Sequence, residues 1–242
     1  MMLEGSTITL APEHHLNNVY MTVLKSTIHE EYLEEEKEDR YSVLKQVLGT
    51  VVLLYSPLSI NSLPALLHLP KRAIEEGLAD LHAILDIPKD QTRPLRLHHP
   101  SFRDFLLNKD RCRDPNFQVD GQRAHRTLAT NCIQLMSTSL RQDICGLDAP
   151  GVLVTDIETS GVEQCLPPEV QYACLYWVQH LQKSGAQLYD NHQVHQFLKE
   201  HLLHWLEALG WMRKVSEGIH AITSLESIAL VSLPATYGKL SN

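Results

Sequence analysis

The sequence predicts a mainly α-helical protein, in which a winged-helix domain with a small β-hairpin is followed by a domain of antiparallel helices. Three observations predict this class. Apolar residues recur at helical spacing through most of the 242 residues. Two short apolar runs, AILDIP and PLRLHH, flank the polar turn KDQTR, as in a hairpin. Helical patterns precede and follow these runs, in the order of a winged helix.

Turn-forming residues divide the helical patterns. The first helix carries an apolar stripe made of Leu16, Val19, Tyr20, Val23, Leu24 and Ile28. An acidic run over residues 30–39 predicts an exposed helix end or loop. An apolar helix then ends before Pro57. Ser59 is the predicted N-cap of the next short helix, and Pro70 is expected in the first turn of another.

The order of these elements predicts three parts. Residues 1–38 form an N-terminal linker helix, residues 39–115 a winged-helix-like domain, and residues 116–242 a helical domain. The boundary near residue 115 is based on the loop sequence RDPNFQVDGQ, which is rich in turn-forming residues.

Composition excludes several partner classes. The formal net charge of -8 argues against nucleic acid and anionic membranes, because both bind through excess Lys and Arg. The longest apolar stretch, VLGTVVLLY, is far shorter than the ~20 residues that span a bilayer. The N-terminus lacks the pattern of a signal peptide. Five cysteines without CxxC spacing favour a reduced thiol environment, so we expect a cytoplasmic protein.

A pair of histidines lies where the second hairpin strand meets the next helix, in the sequence RLHHPSFRDFL. Such a pair is compatible with a metal site, a phosphate contact or a structural role. The apolar residues that follow at helical spacing are predicted to lie in the core: Phe102, Phe105 and Leu106. Arg103 and Asp104 are expected on an exposed face, and Ser101 is expected to cap the helix through its hydroxyl.

Four segments, in this order, resemble fungal NACHT-type NOD-like receptors, which are STAND NTPases of signal transduction. LNNVYMTVL resembles the LDxLYxxIL helix that follows the ATPase core of that family, and LHHPSFRDFLL resembles the HxSFxDFL end of its winged-helix domain. YACLYWVQHL and FLKEHLLHWLEALGWM resemble the helical region before its C-terminal repeats. Together the four segments cover about residues 16–230.

The resemblance implies a regulatory role in innate immunity or heterokaryon incompatibility. In that family the histidine of HxSFxDFL contacts the β-phosphate of bound ADP and holds the receptor closed. The matching residue is His99, whereas His98 has no counterpart in the motif. The implied partners are a P-loop ATPase core, which binds ADP or ATP, and C-terminal repeats such as WD or ankyrin repeats.

The sequence contains no P-loop of its own. The motif G-x-x-x-x-G-K-[ST] is absent, because the one Gly-Lys pair, Gly238-Lys239, is followed by Leu240. The segment VLVTDIE resembles a Walker B strand, but without a P-loop we interpret it as a short buried segment. We therefore expect no enzymatic activity and no nucleotide bound by this chain alone. A receptor fragment, a truncated gene and a relic gene all fit this pattern.

Metal binding and nucleophilic catalysis are weaker hypotheses. The pairs His192/His195 and His201/His204 each share a helix face, but zinc requires three or four ligands, so no metal site is predicted. No G-x-S-x-G motif is present, so no catalytic residue is predicted.

Two alternative functions stay open at this stage. A winged helix can bind DNA, but the candidate helix PKRAIEEGLADLHAIL carries Glu75, Glu76 and Asp80 as well as Lys71 and Arg72. The other alternative is a stand-alone helical scaffold for protein interaction.

Overall fold

The protein is described by a computed structural model over residues 12–146, 162, 164–188 and 193–232. In the described ranges the chain is mainly helical with one two-stranded hairpin, which confirms the mainly α prediction. The elements are α1 (Pro12–Ser26), α2 (Glu34–Leu53), α3 (Leu63–Leu67), α4 (Lys71–Leu78), β1 (Leu85–Asp86), β2 (Arg96–Leu97), α5 (Ser101–Leu107), α6 (Gly121–Ser139), α7 (Pro168–Lys183), α8 (Gln193–Trp211) and α9 (Val215–Ser232).

The hairpin lies where the sequence predicts it. Strands β1 and β2 are antiparallel, with Leu85 opposite Leu97. A further antiparallel bridge joins Ser59 to Pro94, and the Leu95 amide donates to the Leu58 carbonyl at 2.9 Å. The segment between α2 and α3 therefore pairs with the approach to β2, although the sequence predicted a helix start there.

Two of the predicted helix starts are wrong by a few residues. Helix α3 begins at Leu63, and the Ser59 hydroxyl instead accepts a hydrogen bond from the Ser62 amide at 3.3 Å in the preceding turn. Pro70 lies just before α4 rather than inside its first turn. Backbone pairing of Leu58 with Leu95 and of Ser59 with Pro94 delays α3, whereas α4 begins one residue after Pro70.

The first half of the chain packs around the side chains that follow the hairpin. Phe102, Phe105 and Leu106 are each 0% exposed, which confirms the predicted core face of α5. Arg103 and Asp104 are exposed, as predicted. The apolar stripe of α1 contacts this core through Tyr20 and Leu24, whereas Val19 is 43% exposed and does not belong to the buried stripe.

The second half consists of long helices packed in antiparallel pairs. The C-terminal end of α7 lies beside the N-terminal end of α6, where Arg126 Nη2 donates to the Ser184 carbonyl at 3.4 Å. Helices α8 and α9 are joined by a tight turn in which Arg213 has a φ of 58°. Trp177 of α7 and Trp205 of α8 are fully buried, with ring centroids 5.6 Å apart. The Trp205 indole also donates to the Cys174 carbonyl at 2.9 Å.

The division into parts 1–38, 39–115 and 116–242 stays a prediction. Helix α2 runs across the first boundary, since it begins at Glu34. The loop predicted near residue 115 lies between α5 and α6. Within the described ranges no helix is both long enough and apolar enough to cross a membrane.

Candidate functional site at His99

His99 lies in the short connection between β2 and α5, with its side chain exposed to solvent. Helix α5 begins at Ser101, and Pro100 is its N-cap residue. Ser101 is therefore the first helical residue and not the cap before the helix. The predicted capping role of the Ser101 hydroxyl is therefore wrong. The His99 ring takes that role, because its Nδ1 atom accepts a hydrogen bond from the Ser101 amide at 3.1 Å.

The hydrogen bonds of His99 determine its tautomer. A ring nitrogen that accepts from a backbone N–H carries no proton, so the proton of the neutral ring must be on Nε2. The Ser101 hydroxyl lies 2.7 Å from the same Nδ1 and donates to it. Nε2–H is thus the donor that His99 presents to solvent. A phosphate contact requires such a donor.

Tyr20 of α1 completes this arrangement. Its phenol oxygen lies 2.7 Å from the Ser101 hydroxyl oxygen. Because the Ser101 proton is donated to His99, the phenol donates to Ser101. We call Tyr20, Ser101 and His99 the histidine relay. It joins LNNVYMTVL to LHHPSFRDFLL, two of the four segments that resemble the receptor family, across the 81 positions between Tyr20 and Ser101.

The aromatic ring of Tyr20 is fixed by packing. It is 6% exposed, and its centroid lies 5.1 Å from that of Phe102 and 5.4 Å from that of Phe105. The Phe102 contact is edge-to-face, a favourable geometry for aromatic pairs. The core therefore fixes the phenol oxygen beside Ser101.

His98 has a separate, structural role. Its Nε2 atom lies 3.1 Å from the His82 carbonyl, and its backbone amide donates to the Ile84 carbonyl at 3.0 Å. Both contacts connect the second strand to the turn before β1. The two histidines therefore have different hydrogen-bond partners, His98 in the turn before β1 and His99 at the start of α5.

A second polar cluster, which sequence reasoning missed, joins the two halves of the chain. His125 Nδ1 of α6 and His180 Nδ1 of α7 lie 2.8 Å apart. Tyr172 places its hydroxyl 2.7 Å from His180 Nε2 and accepts from the Tyr55 amide at 3.3 Å. We call Tyr55, His125, Tyr172 and His180 the interhelical cluster. Its members are too far apart in sequence to give a local signal.

Burial governs the ionisation of the interhelical cluster. His180 is 0% exposed, and desolvation, with a smaller effect of His125, lowers its pKa to about 3. Desolvation also lowers the pKa of His125, aided by the nearby charges of Arg103 and Lys183. Burial raises the pKa of the Tyr172 phenol. The cluster is therefore neutral at neutral pH, and it joins the segment after α2 to α6 and α7.

The pair His201/His204 does not form a metal site with other described residues. His201 and His204 have their Nδ1 atoms 3.3 Å apart, and the His201 ring stacks on Phe197. His192 lies outside the described residues, as does the segment VLVTDIE at 152–158. No group of three or more potential metal ligands occurs among the residues that the structure describes.

Three buried cysteines have thiols with raised pKa values, so these thiols stay protonated at neutral pH. Burial raises the pKa of Cys174 to about 12, and burial together with the neighbouring Asp114 raises that of Cys112 to about 11. Burial also raises the pKa of Cys132. A thiolate is the nucleophilic form of cysteine, so these residues are poor candidates for catalysis.

The basic residues of the candidate DNA-reading helix are paired with acids of the same helix. In α4, Lys71 Nζ lies 3.7 Å from Glu75, and Arg72 Nε lies 2.7 Å from Glu76. Arg40 of α2 approaches Glu76 as well, at 3.6 Å. Phosphate binding would compete with these pairs, so the structure gives DNA binding no support.

A comparison with curated proteins supplies a relative that fits this geometry. The chain is 27% identical over 237 residues to the vegetative incompatibility protein HET-E-1 of Podospora anserina. The chain is homologous to a segment of HET-E-1. The match covers 88% of this chain and 16% of HET-E-1, so the chain spans a small part of that relative. It confirms, at this coarse level, the predicted relation to a fungal incompatibility protein.

The other comparisons add nothing to this relationship. No protein-family model matches the chain. No solved structure matches it.

Proposed function

We propose that this chain is the non-catalytic regulatory arm of a fungal NACHT-type receptor, composed of a winged-helix domain and the helical region after it. The arm couples the nucleotide state of an ATPase core to opening of the receptor. The observation that carries the proposal is the orientation of the His99 ring. Hydrogen bonds from Ser101 to its Nδ1 atom leave Nε2–H facing solvent, at the position that matches the phosphate-contacting histidine. The homology to HET-E-1 supports the same assignment.

The order of elements supports a winged-helix assignment for the first half. Helices α2, α3 and α4 precede the β1–β2 hairpin, which is the order of that motif. An isolated antiparallel bridge between Ser59 and Pro94 attaches the segment before α3 to the hairpin. In α4 the basic side chains form ion pairs with glutamates of the same helix, which fits a winged helix that contacts protein rather than DNA.

The chemistry of His99 fits a contact between domains. A neutral imidazole N–H donates one hydrogen bond to a phosphate oxygen, and hydrogen bonds to charged groups contribute about 1.5–3 kcal/mol. Because the phosphate belongs to another domain, the bond stabilises the closed arrangement only while that nucleotide is bound. Closure and nucleotide affinity are then reciprocally coupled.

The partners follow from this role. The nucleotide is ADP or ATP, held by a P-loop ATPase core that the 242 residues do not encode. C-terminal repeats such as WD or ankyrin repeats complete the receptor. Most of HET-E-1 lies outside the matched region, which leaves ample sequence for both.

The isolated chain is expected not to bind nucleotide. Titration of the purified 242-residue chain with ADP in a calorimeter should give no binding heat, because His99 alone supplies a single hydrogen bond. A chimera in which this chain replaces the matched segment of HET-E-1 should co-purify with ADP, detected by chromatography of the released nucleotide.

The matched control is HET-E-1 lacking that segment, which should retain less ADP than the chimera. Tight ADP binding by the isolated chain would contradict the proposal. So would a folded chimera that retains no more ADP than the control.

A further inference from the structure

Helix α1 is attached to α5 and the loop after it at three points along its length. Asn17 accepts from Arg111 Nε at 3.1 Å and Nη2 at 3.0 Å, and Lys25 lies 3.9 Å from Asp114. Between these points Tyr20 inserts its ring beside Phe102. Because the three contacts lie on one helix, displacement of α1 as a unit removes the Tyr20 phenol from Ser101.

The Tyr20 phenol constrains the direction of the Ser101 hydroxyl. A serine hydroxyl has one proton and can rotate to different acceptors. With the phenol donating to its oxygen, the Ser101 proton is free to point to His99 Nδ1, 2.7 Å away. Without the phenol, the hydroxyl can turn to water, and the Ser101 amide becomes the one remaining donor to Nδ1.

We propose that Tyr20 is a positioning residue for His99, and that docking of α1 strengthens, through the Ser101 hydroxyl, the preference of His99 for the Nε2–H tautomer that can donate to a phosphate. Undocking of α1 leaves the longer bond from the Ser101 amide, at 3.1 Å, as the one hydrogen bond at Nδ1, so the Nε2–H tautomer is less strongly favoured and the ring reorients more readily. An Nδ1–H tautomer has an unprotonated Nε2, which accepts rather than donates and repels a phosphate oxygen. The position of α1 thereby regulates the nucleotide contact. This inference rests on the proposed function in one respect, that the ligand of His99 is a nucleotide phosphate.

The ring of Tyr20 allows the relay to be tested with little change in packing. Tyr20→Phe removes one oxygen and keeps the contacts with Phe102 and Phe105. Tyr41→Phe is a matched control, because the Tyr41 ring also packs edge-to-face on a phenylalanine, Phe117, at 5.4 Å. Among the described residues Tyr41 makes no hydrogen bond through its hydroxyl.

The experiment measures the ring nitrogens of His99 directly. The full chain is labelled with ¹⁵N-histidine, and the His99 signals are assigned among the 14 histidines by their loss in His99→Gln. At pH 8, where an ordinary histidine is neutral, the unmodified chain should show separate Nδ1 and Nε2 resonances of one tautomer. In Tyr20→Phe and Ser101→Ala the two resonances should shift toward each other, whereas Ser101→Thr should restore the separation.

The outcomes distinguish this inference from the function on which it rests. Unchanged His99 resonances in Tyr20→Phe, or an equal shift in Tyr41→Phe, would overturn the positioning role of Tyr20. If the resonances shift as expected but the chimera retains no ADP, the relay stands and the proposed function fails.

Discussion

Replacing Phe102 with alanine is expected to lower the free energy of unfolding by about 3–5 kcal/mol. Phe102 is fully buried and packs edge-to-face against Tyr20, so the truncation leaves a cavity under both α1 and α5. The measurement is urea unfolding followed by circular dichroism. Tryptophan fluorescence is unsuitable, because Trp177, Trp205 and Trp211 all lie in α7 and α8.

The control for this prediction is the next residue of the same helix. Arg103 is exposed, so Arg103→Ala should change the free energy of unfolding by no more than about 0.5 kcal/mol. A loss below about 1 kcal/mol for Phe102→Ala would show that α5 is not packed as described.

Lowering the pH from 7 to 5 is expected to reduce the free energy of unfolding by about 2 kcal/mol through His180. The pKa of His180 falls from 6.5 to about 3 on folding, so the folded state favours the neutral ring. Its contribution is fully present above pH 6.5 and declines as the pH falls from 6.5 toward 3. The lowered pKa of His125 acts in the same direction. Denaturant titrations at a series of pH values measure the effect.

Two variants identify the responsible group. His180→Leu should remove most of the difference between pH 7 and pH 5, whatever its effect on stability at pH 7. His220→Leu changes an exposed histidine of α9 and should leave the difference unchanged. A difference that survives His180→Leu in full would assign the acid sensitivity to other groups.

Features fixed by local pattern could be predicted from the sequence. The buried face of α5 follows from apolar residues at helical spacing, and the hairpin follows from two apolar runs around a polar turn. In both elements the spacing of apolar residues along the chain is enough to predict which face is buried. For that reason Phe102, Phe105 and the exposed Arg103 are where the sequence predicts them.

Features that need contacts between distant residues could not be predicted. The proton on His99 Nε2 follows from the bond of the Ser101 amide at the start of α5, and the Ser101 hydroxyl contacts Tyr20, 81 residues earlier. His125 and His180 are 55 residues apart, and neither stands out in its own helix. Serine favours the N-cap position, which predicts a capping hydroxyl for Ser101, but α5 begins at Ser101 itself with Pro100 as its N-cap, so the hydroxyl bonds within the relay instead.

The rate of ADP release from the HET-E-1 chimera tests the central claim most directly, that His99 contacts a nucleotide phosphate held by another domain. Loss of one hydrogen bond to a charged group predicts release about tenfold faster in His99→Ala than in the unmodified chimera. His98→Ala is the matched control, because the His98 ring bonds to the His82 carbonyl in the turn before β1, and it should release ADP at the unmodified rate. Equal release rates for His99→Ala and the unmodified chimera would contradict the account.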